Sequence, residues 1–184
     1  MDSLLKTALW QQFGATIDML ENALLACPGS LWRGRLWNDN SDHPPPPEYT
    51  AFWSIAHHTL FWLDFYLTGS PEGFAPPAPF TLAELDPAGA VPERPHTREE
   101  LLTYLVYLRK KCQTTIEGMS DEQATSPWTE GKLMSFYELQ LYSMRHVQEH
   151  TAQLSLFLGQ HGISNEALNW VSQAKGDKGG AGGL

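Results

Sequence analysis

Residues 135–161 read SFYELQLYSMRHVQEHTAQLSLFLGQH. Ser135 and Glu138 form the S-x-x-E capping box that is typical of a helix start. No Pro or Gly interrupts the segment before Gly159. The pattern therefore predicts one helix of roughly 24 to 27 residues, about 36 to 40 Å long. We expect the rest of the chain to be organised around this helix.

His146 and His150 lie four residues apart in this helix, so their side chains stack on one face. The apolar row that begins at Val147 runs beside that face, which directs both imidazoles toward the core or its rim. An inward pair at this spacing can offer two nitrogen ligands to one metal ion. The spacing alone is weak evidence, because seven His would produce such a pair by chance roughly 0.25 times per chain. Two hydrogen-bonded core histidines are the alternative, and a third ligand would decide between them.

The composition favours one acidic, aromatic-rich globular domain. A chain of 184 residues is long enough to bury a substantial core. Seven Trp, eight Phe and six Tyr favour large buried side chains or an apolar pocket. The formal net charge of -9 would repel nucleic acid, so we expect no nucleic-acid partner.

Three further features indicate the compartment. The longest strongly apolar run, residues 53–67, contains two His and one Asp and is too short and too polar to span a membrane. The N-terminal sequence MDSLLK lacks the basic start of a signal peptide. We expect Cys27 and Cys112 to be reduced core residues and not a disulfide. These features together predict a cytoplasmic protein with no membrane partner.

Four segments with helical apolar periodicity predict four long helices, near residues 3–26, 50–68, 97–118 and 135–161. The connection at 70–96 is rich in proline and predicts a long ordered loop, which could cover a site. Long connections after the first two helices are compatible with a crossover topology. We therefore predict an all-α four-helix bundle in one domain, residues 1–172, followed by a disordered glycine-rich tail at 173–184.

The second predicted helix offers two adjacent candidates for the third metal ligand. Its sequence is apolar on nearly every side, so we expect it to be buried on more than one face. His57 and His58 point about 100° apart around the helix axis, so only one of them can face the last helix squarely. Periodicity does not choose between them.

Two motifs taken together resemble the DinB-like superfamily of damage-inducible four-helix-bundle proteins. They are FWSIAHHTLFWLDFYL at 52–67 and RHVQEHTAQL at 145–154. That family typically has one His midway along the second helix and an HxxxH on the last long helix, which together bind a divalent metal. In the subgroup that this chain resembles, the ligand on the second helix is the His directly before Thr-Leu. The resemblance therefore implies His58, His146 and His150 as metal ligands.

The same resemblance leaves His57 as an extra residue, which we expect either to support the ligands from behind or to lie on the surface. Three neutral imidazoles would leave at least one coordination position for water or substrate, as in reactive metal sites. Imidazole suits Zn, Ni, Fe and Cu, so the ligands do not identify the metal. Tyr142, Asp64 and Glu149 are candidates to orient the imidazoles by hydrogen bonds, and Tyr142 is the best placed of these.

Two classes of function follow from these expectations. Similar families include metal-dependent transferases that use a low-molecular-weight thiol such as mycothiol or bacillithiol, so a thiol S-transferase acting on a small-molecule substrate is the first hypothesis. Three arginines could bind an anionic thiol: Arg33, Arg35 and Arg145. A metal-dependent hydrolase is a variant, with Glu138 or Glu149 as the candidate base.

The second class is a non-catalytic, stress-associated bundle in which the metal mainly joins the second and fourth helices. An open coordination position that faces a pocket would favour the enzyme over this structural role. Apolar side chains on the connecting segments also predict a homodimer.

Overall fold

The computed structural model describes residues 2–38, 46–86, 92, 94–128, 134–163 and 170–176. Its long helices are α1 (Ser3–Ala26), α2 (Phe52–Thr68), α3 (Arg98–Gly118) and α5 (Phe136–Gln160), with a short α4 (Asp121–Thr125). Two single 3-10 turns, η1 (Pro47–Thr50) and η2 (Leu82–Leu85), lie in the connections. Strands are absent from these ranges, which contain only isolated bridges. The all-α prediction and its four long helices are confirmed.

The four long helices pack as a bundle in which α1 and α2 each contact both α3 and α5. Consecutive helices α1 and α2 therefore lie at opposite corners, and the chain crosses the bundle between them. This arrangement is the crossover topology that the long connections predicted. It also makes α2 and α5 direct neighbours, which brings together the two helices that carry the predicted ligands.

The helix boundaries follow from local sequence signals. Ser135 donates its backbone N–H to Glu138 Oε2 at 2.8 Å and caps α5, and an equivalent capping box begins α3. Helix α2 ends at Gly69, whose φ of 74° is in the left-handed region that favours glycine. A Cβ at this position would also lie 2.7 Å from the ring of Phe136. Both the backbone conformation and this close contact therefore require glycine.

Helix α2 is buried along almost its whole length, as its all-round apolar sequence predicted. Its Trp53, Phe52 and Leu60 lie in the main core with side chains from the other three long helices. Full burial of each such side chain stabilises the fold by about 1.5–3 kcal/mol. Both cysteines are buried and free, as predicted.

The described C-terminal segment, 170–176, packs against α1. Asp18, which is 1% exposed, accepts hydrogen bonds from Arg109 Nε at 2.9 Å and from the Lys175 backbone N–H at 2.6 Å. The Ala174 N–H donates to Gln11 O at 2.9 Å. Packed structure thus continues past residue 172, where we placed the domain boundary. The rest of the predicted tail, 177–184, is outside the described residues.

The described parts of the long connection between α2 and α3 lie over these two helices. Phe80 stacks on Tyr104 of α3, with ring centroids 4.4 Å apart, and on His57 of α2 at 5.5 Å. These contacts hold η2 next to the middle of α2. No helix in the described part of the chain is both long enough and apolar enough to cross a membrane.

Candidate metal centre

The fold brings the three predicted histidines together. His58 lies in the middle of α2, and His146 and His150 lie one turn apart on α5. Each offers one ring nitrogen to a group in which these nitrogens lie within 4.8 Å of one another. The ring centroid of His58 is 5.3 Å from that of His146 and 5.1 Å from that of His150. We refer to these three residues as the His triad.

Hydrogen bonds engage the Nδ1 atoms of two members of the His triad. His58 Nδ1 lies 2.8 Å from Glu84 Oε2, and His150 Nδ1 lies 2.8 Å from Gln153 Oε1. An ionised carboxylate and an amide oxygen only accept hydrogen bonds, so each Nδ1 must donate its proton. A neutral imidazole has one proton, so in that form each of these two rings leaves its Nε2 lone pair available to a metal ion.

The spacing of the nitrogens also fits a metal ion. His146 Nε2 and His150 Nε2 are 3.1 Å apart. Two ligands of a tetrahedral Zn²⁺ with Zn–N distances of about 2.0–2.1 Å would be about 3.3 Å apart. A shift of a few tenths of an ångström would thus convert this pair into two ligands of one cation. The donor set and its geometry fit a divalent ion such as zinc.

Burial keeps the imidazoles on α5 in the form that binds metal. Burial, with the nearby rings of His150 and His58, lowers the pKa of His146 to about 3. Burial is also the main reason that the pKa of His150 is lowered. Both rings are therefore neutral at pH 7, and a metal ion would not compete with a proton at either one.

Glu84 is a part of the site that the sequence did not reveal. It lies on η2, in the connection between α2 and α3, and is mostly buried. Burial alone would raise its pKa, but the imidazoles of His57 and His58 outweigh burial and lower the pKa to about 2. Its other carboxylate oxygen lies 3.6 Å from His57 Nδ1. No periodicity marks a residue in a loop, so the sequence carried no signal for this contact.

Gln153 is the second missed residue, and its position did carry a signal. It lies three residues after His150, so the two side chains share one face of α5. A carboxamide oxygen one turn from an imidazole is well placed to accept the Nδ1 proton. The spacing could therefore have suggested this hydrogen bond.

The three residues expected to orient the imidazoles do not do so by hydrogen bonds to them. Tyr142 contacts His146 by its ring, at a centroid distance of 6.5 Å and an interplanar angle of 18°. Asp64 faces α3, where it accepts hydrogen bonds from Tyr104 Oη at 2.7 Å and from Lys111 Nζ at 2.6 Å. The prediction for Asp64 is therefore wrong. A buried carboxylate needs charged or polar partners, and Asp64 has these on α3 and not at the His triad. Glu149 is exposed on α5.

His57 is outside the His triad, as the resemblance implied. It is 2% exposed, so a surface position is wrong. Its ring lies against His96, with centroids 4.5 Å apart, and against Phe80. Helix geometry explains the difference from His58, because neighbouring residues point about 100° apart.

The candidate anion-binding arginines are spread over the surface. Arg33 and Arg35 are exposed, and Arg35 donates Nε to Thr50 Oγ1 at 3.2 Å. Arg145 lines a cavity between α1 and α5 with Gln12. None of these contacts involves the His triad.

A cavity of about 460 Å³ lies next to the His triad. We call it the aromatic cavity, and it is lined by Trp62, Phe65, Tyr66, Trp128, Met134, Leu139 and Tyr142. Tyr66 and His146 have ring centroids 6.2 Å apart, and Trp62 and His58 also have centroids 6.2 Å apart. The candidate metal centre therefore adjoins a space large enough for a small molecule.

Comparison with known proteins gives one result that agrees with this geometry. Curated proteins and solved structures return no match to the chain. The model of the DinB superfamily matches residues 12–154, a range that includes most of the chain and the whole His triad. The chain therefore belongs to the DinB superfamily.

Proposed function

We propose that this protein is a metal-dependent thiol S-transferase whose His triad binds one divalent cation, such as Zn²⁺, Ni²⁺ or Fe²⁺. The observation that carries the proposal is the convergence of three imidazoles from two helices beside the aromatic cavity. Among the residues that can be described, no Cys, Asp, Glu or further His joins the group. Three protein ligands are typical of reactive sites, whereas closed structural sites take four.

The protein residues around the His triad prepare it for this role. When bound, a divalent cation would lower the pKa of a thiol or water that shares its coordination shell. Glu84 fixes His58 in the tautomer that presents Nε2, and Gln153 does the same for His150. Burial keeps His146 neutral. The low-molecular-weight thiol remains part of the proposal, as does the small-molecule electrophile that would accept it.

Hydrolysis is a weaker candidate because the two proposed bases are poorly placed. Glu138 is the capping residue of α5, hydrogen-bonded to Ser135 and eight residues from His146. Eight residues of helix span about 12 Å. Glu149 is exposed and adjacent to His150 in sequence, which turns it about 100° away from that ring.

A non-catalytic, metal-stabilised bundle is the alternative from the other class. In that role the cation would mainly join α2 to α5. The two helices already pack together through the core, with side chains such as Leu60 and Val147 fully buried. The presence of only three protein ligands and of the aromatic cavity beside them supports the enzyme over this structural role.

The first experiment measures metal binding by protein without a histidine tag. Chelator-treated protein is titrated with Zn²⁺, Ni²⁺ and Fe²⁺, and we expect one equivalent to bind and the melting temperature to rise. Stabilisation at a metal concentration of 100 Kd would be about 2.7 kcal/mol. The His146→Ala/His150→Ala variant should lose this effect, whereas the His161→Ala variant should keep it, since His161 lies outside the His triad.

The second experiment separates the enzyme from the structural bundle. Loss of free thiol is followed with electrophilic substrates and each low-molecular-weight thiol in turn, with metal-loaded and metal-free protein. We expect turnover that requires both the metal and His150. Stoichiometric metal binding without turnover for any thiol would favour the structural role, and absence of metal binding would contradict both.

We also propose that the protein is a cytoplasmic homodimer without nucleic-acid or membrane partners. Exposed apolar side chains support an interface between copies, among them Leu156 at 63% and Trp170 at 75% exposure. Light scattering after size exclusion tests the dimer. A single species with the monomer mass across a hundredfold range of concentration would refute it.

A further inference from the structure

We propose that the aromatic cavity binds a neutral, planar aromatic molecule and holds it beside the His triad. Its role as the site of the electrophilic substrate rests on the proposed function, but the binding itself can be measured without turnover. The volume of about 460 Å³ is within the range of small-molecule sites.

The first step of the argument is position. Trp62 lies one turn after His58 on α2, and Tyr142 lies one turn before His146 on α5. The Tyr142 ring is nearly parallel to that of His146, at 18° and 6.5 Å. A molecule in the aromatic cavity would therefore lie within one side-chain length of the metal ligands.

The second step is the chemistry of the walls. Five of the seven lining residues are aromatic, and none of the seven carries a charge. A charged ligand would lose its hydration there without a partner, which disfavours its binding. An aromatic ligand instead gains from well-oriented contacts with other rings, in addition to burial of its area. The walls therefore select a neutral aromatic molecule.

The third step is the polar group that would orient the ligand. The rings of Tyr66 and Tyr142 lie 5.5 Å apart at an interplanar angle of 78°, and their hydroxyl groups are hydrogen-bonded to each other. One O–H proton of this pair is used between the two hydroxyls, so the pair retains one O–H that can donate to a ligand. A neutral ligand with one acceptor, such as a carbonyl or nitro group, would satisfy this donor.

The fourth step is the rigidity of the far wall. The Trp128 backbone N–H donates to Met134 O at 3.2 Å, and the Phe136 N–H donates to Ser126 O at 2.9 Å. These bonds fix the backbone beside Trp128 to the start of α5. Its indole meets the rings of Phe65 and Tyr66 edge to face, at 88° and 80°. The walls are thus already in place for a flat ligand.

A second apolar cavity provides an internal control. It measures about 340 Å³ and includes Tyr104 and Tyr107 of α3, but also the carboxylates of Glu99 and Glu100. Within the described residues, none of the aromatic rings that line it contacts the His triad, whereas Trp62 and Tyr66 of the aromatic cavity do. Tyr107 is 48% exposed and Tyr142 is 38% exposed, so removal of either ring is a comparable change.

The test uses the full chain and the neutral fluorescent probe N-phenyl-1-naphthylamine. Titration of metal-free protein should show saturable binding, weakened about fivefold to tenfold by Tyr142→Ala. Tyr142→Phe, which keeps the ring, and Tyr107→Ala should bind as the unsubstituted protein does. The anionic probe 8-anilinonaphthalene-1-sulfonate should bind at least tenfold more weakly. Circular dichroism verifies the helix content of each variant.

A second measurement places the probe relative to the His triad. The proton signals of the bound probe should broaden in Co²⁺-loaded protein but not in Zn²⁺-loaded protein. No saturable binding, equal effects of Tyr142→Ala and Tyr107→Ala, equal affinity for the anionic probe, or absence of broadening in cobalt protein would each overturn the proposal. If no metal binds, the proposed function fails, and the fluorescence titration alone still decides whether the cavity binds the probe.

Discussion

Replacement of Glu84 by Gln should weaken metal binding by the His triad about 10-fold to 100-fold. The substitution preserves the shape of the side chain and removes its charge. In the native protein the Glu84 carboxylate accepts the Nδ1 proton of His58 at 2.8 Å. With a pKa lowered to about 2, this carboxylate is ionised at the neutral pH of the assay.

The expected magnitude follows from what the carboxamide changes. Its oxygen is a weaker acceptor than a carboxylate, and its NH₂ can instead donate to Nδ1, which favours the tautomer with a protonated Nε2. A loss of 10-fold to 100-fold corresponds to about 1.4–2.8 kcal/mol. This is comparable to the value of one charge-assisted hydrogen bond, about 1.5–3 kcal/mol.

The assay is a competition titration of Zn²⁺ against a chromophoric chelator at pH 7. Glu149→Gln is the matched control, because it removes the same charge close to His150 from an exposed position. We expect the control to change the affinity by less than about threefold, since an exposed charge is screened. If Glu84→Gln costs no more than Glu149→Gln, with both variants folded, Glu84 does not orient His58 and this reasoning is refuted.

Three further predictions concern the surroundings of the site. His57→Gln should retain one equivalent of metal and His58→Gln should lose it, by metal analysis after dialysis; the reverse result would mean that the two residues are interchanged. Burial lowers the pKa of His96 to about 4, so the unfolded state takes up its proton near pH 6.5 and the folded state only near pH 4. The contribution of His96 to the free energy of unfolding should therefore fall by about 2 kcal/mol as the pH falls from 7 to 5. In urea unfolding, His96→Gln should lose less stability over this pH range than the unsubstituted protein. Gly69→Ala should destabilise the protein more than Gly73→Ala, because both have a φ of 74° but only Gly69 has a side chain within 4 Å of the added Cβ; equal melting temperatures would contradict this.

The helices could be predicted because their signals are local. A capping box fixes the start of α5 at Ser135 within one residue, and the glycine after Thr68 fixes the end of α2. The same information predicts that α2 contacts more than one helix, since a helix that is apolar on nearly every side must be buried on several faces. The contact between α2 and α5 then brings a His of α2 to the His pair of α5, but it does not decide which of His57 and His58 that is.

The same apolar character that buries α2 conceals its orientation. A helix with polar residues on one side has a single apolar face that must point inward. Helix α2 is apolar on nearly every side, so periodicity could not distinguish His57 from His58. The choice came from the resemblance to the DinB-like superfamily. Glu84 could not be found in either way, because its contact with His58 depends on how the connection between α2 and α3 folds over the bundle.

The position of the aromatic cavity follows from the register of α2 against α5. Three contacts define this register. His58 lies beside His150, and Tyr66 lies beside Tyr142. Gly69, directly after α2, lies beside Phe136 in the first turn of α5. The residue numbers rise along one helix as they fall along the other, so the two helices run antiparallel. Each step of four residues advances about 6 Å along both. Because His58 lies beside His150, this register places Trp62 at the level of His146 and Tyr66 at the level of Tyr142. The metal ligands and the cavity walls are therefore successive turns of the same two helices, and a change in their packing should alter metal affinity and probe binding together.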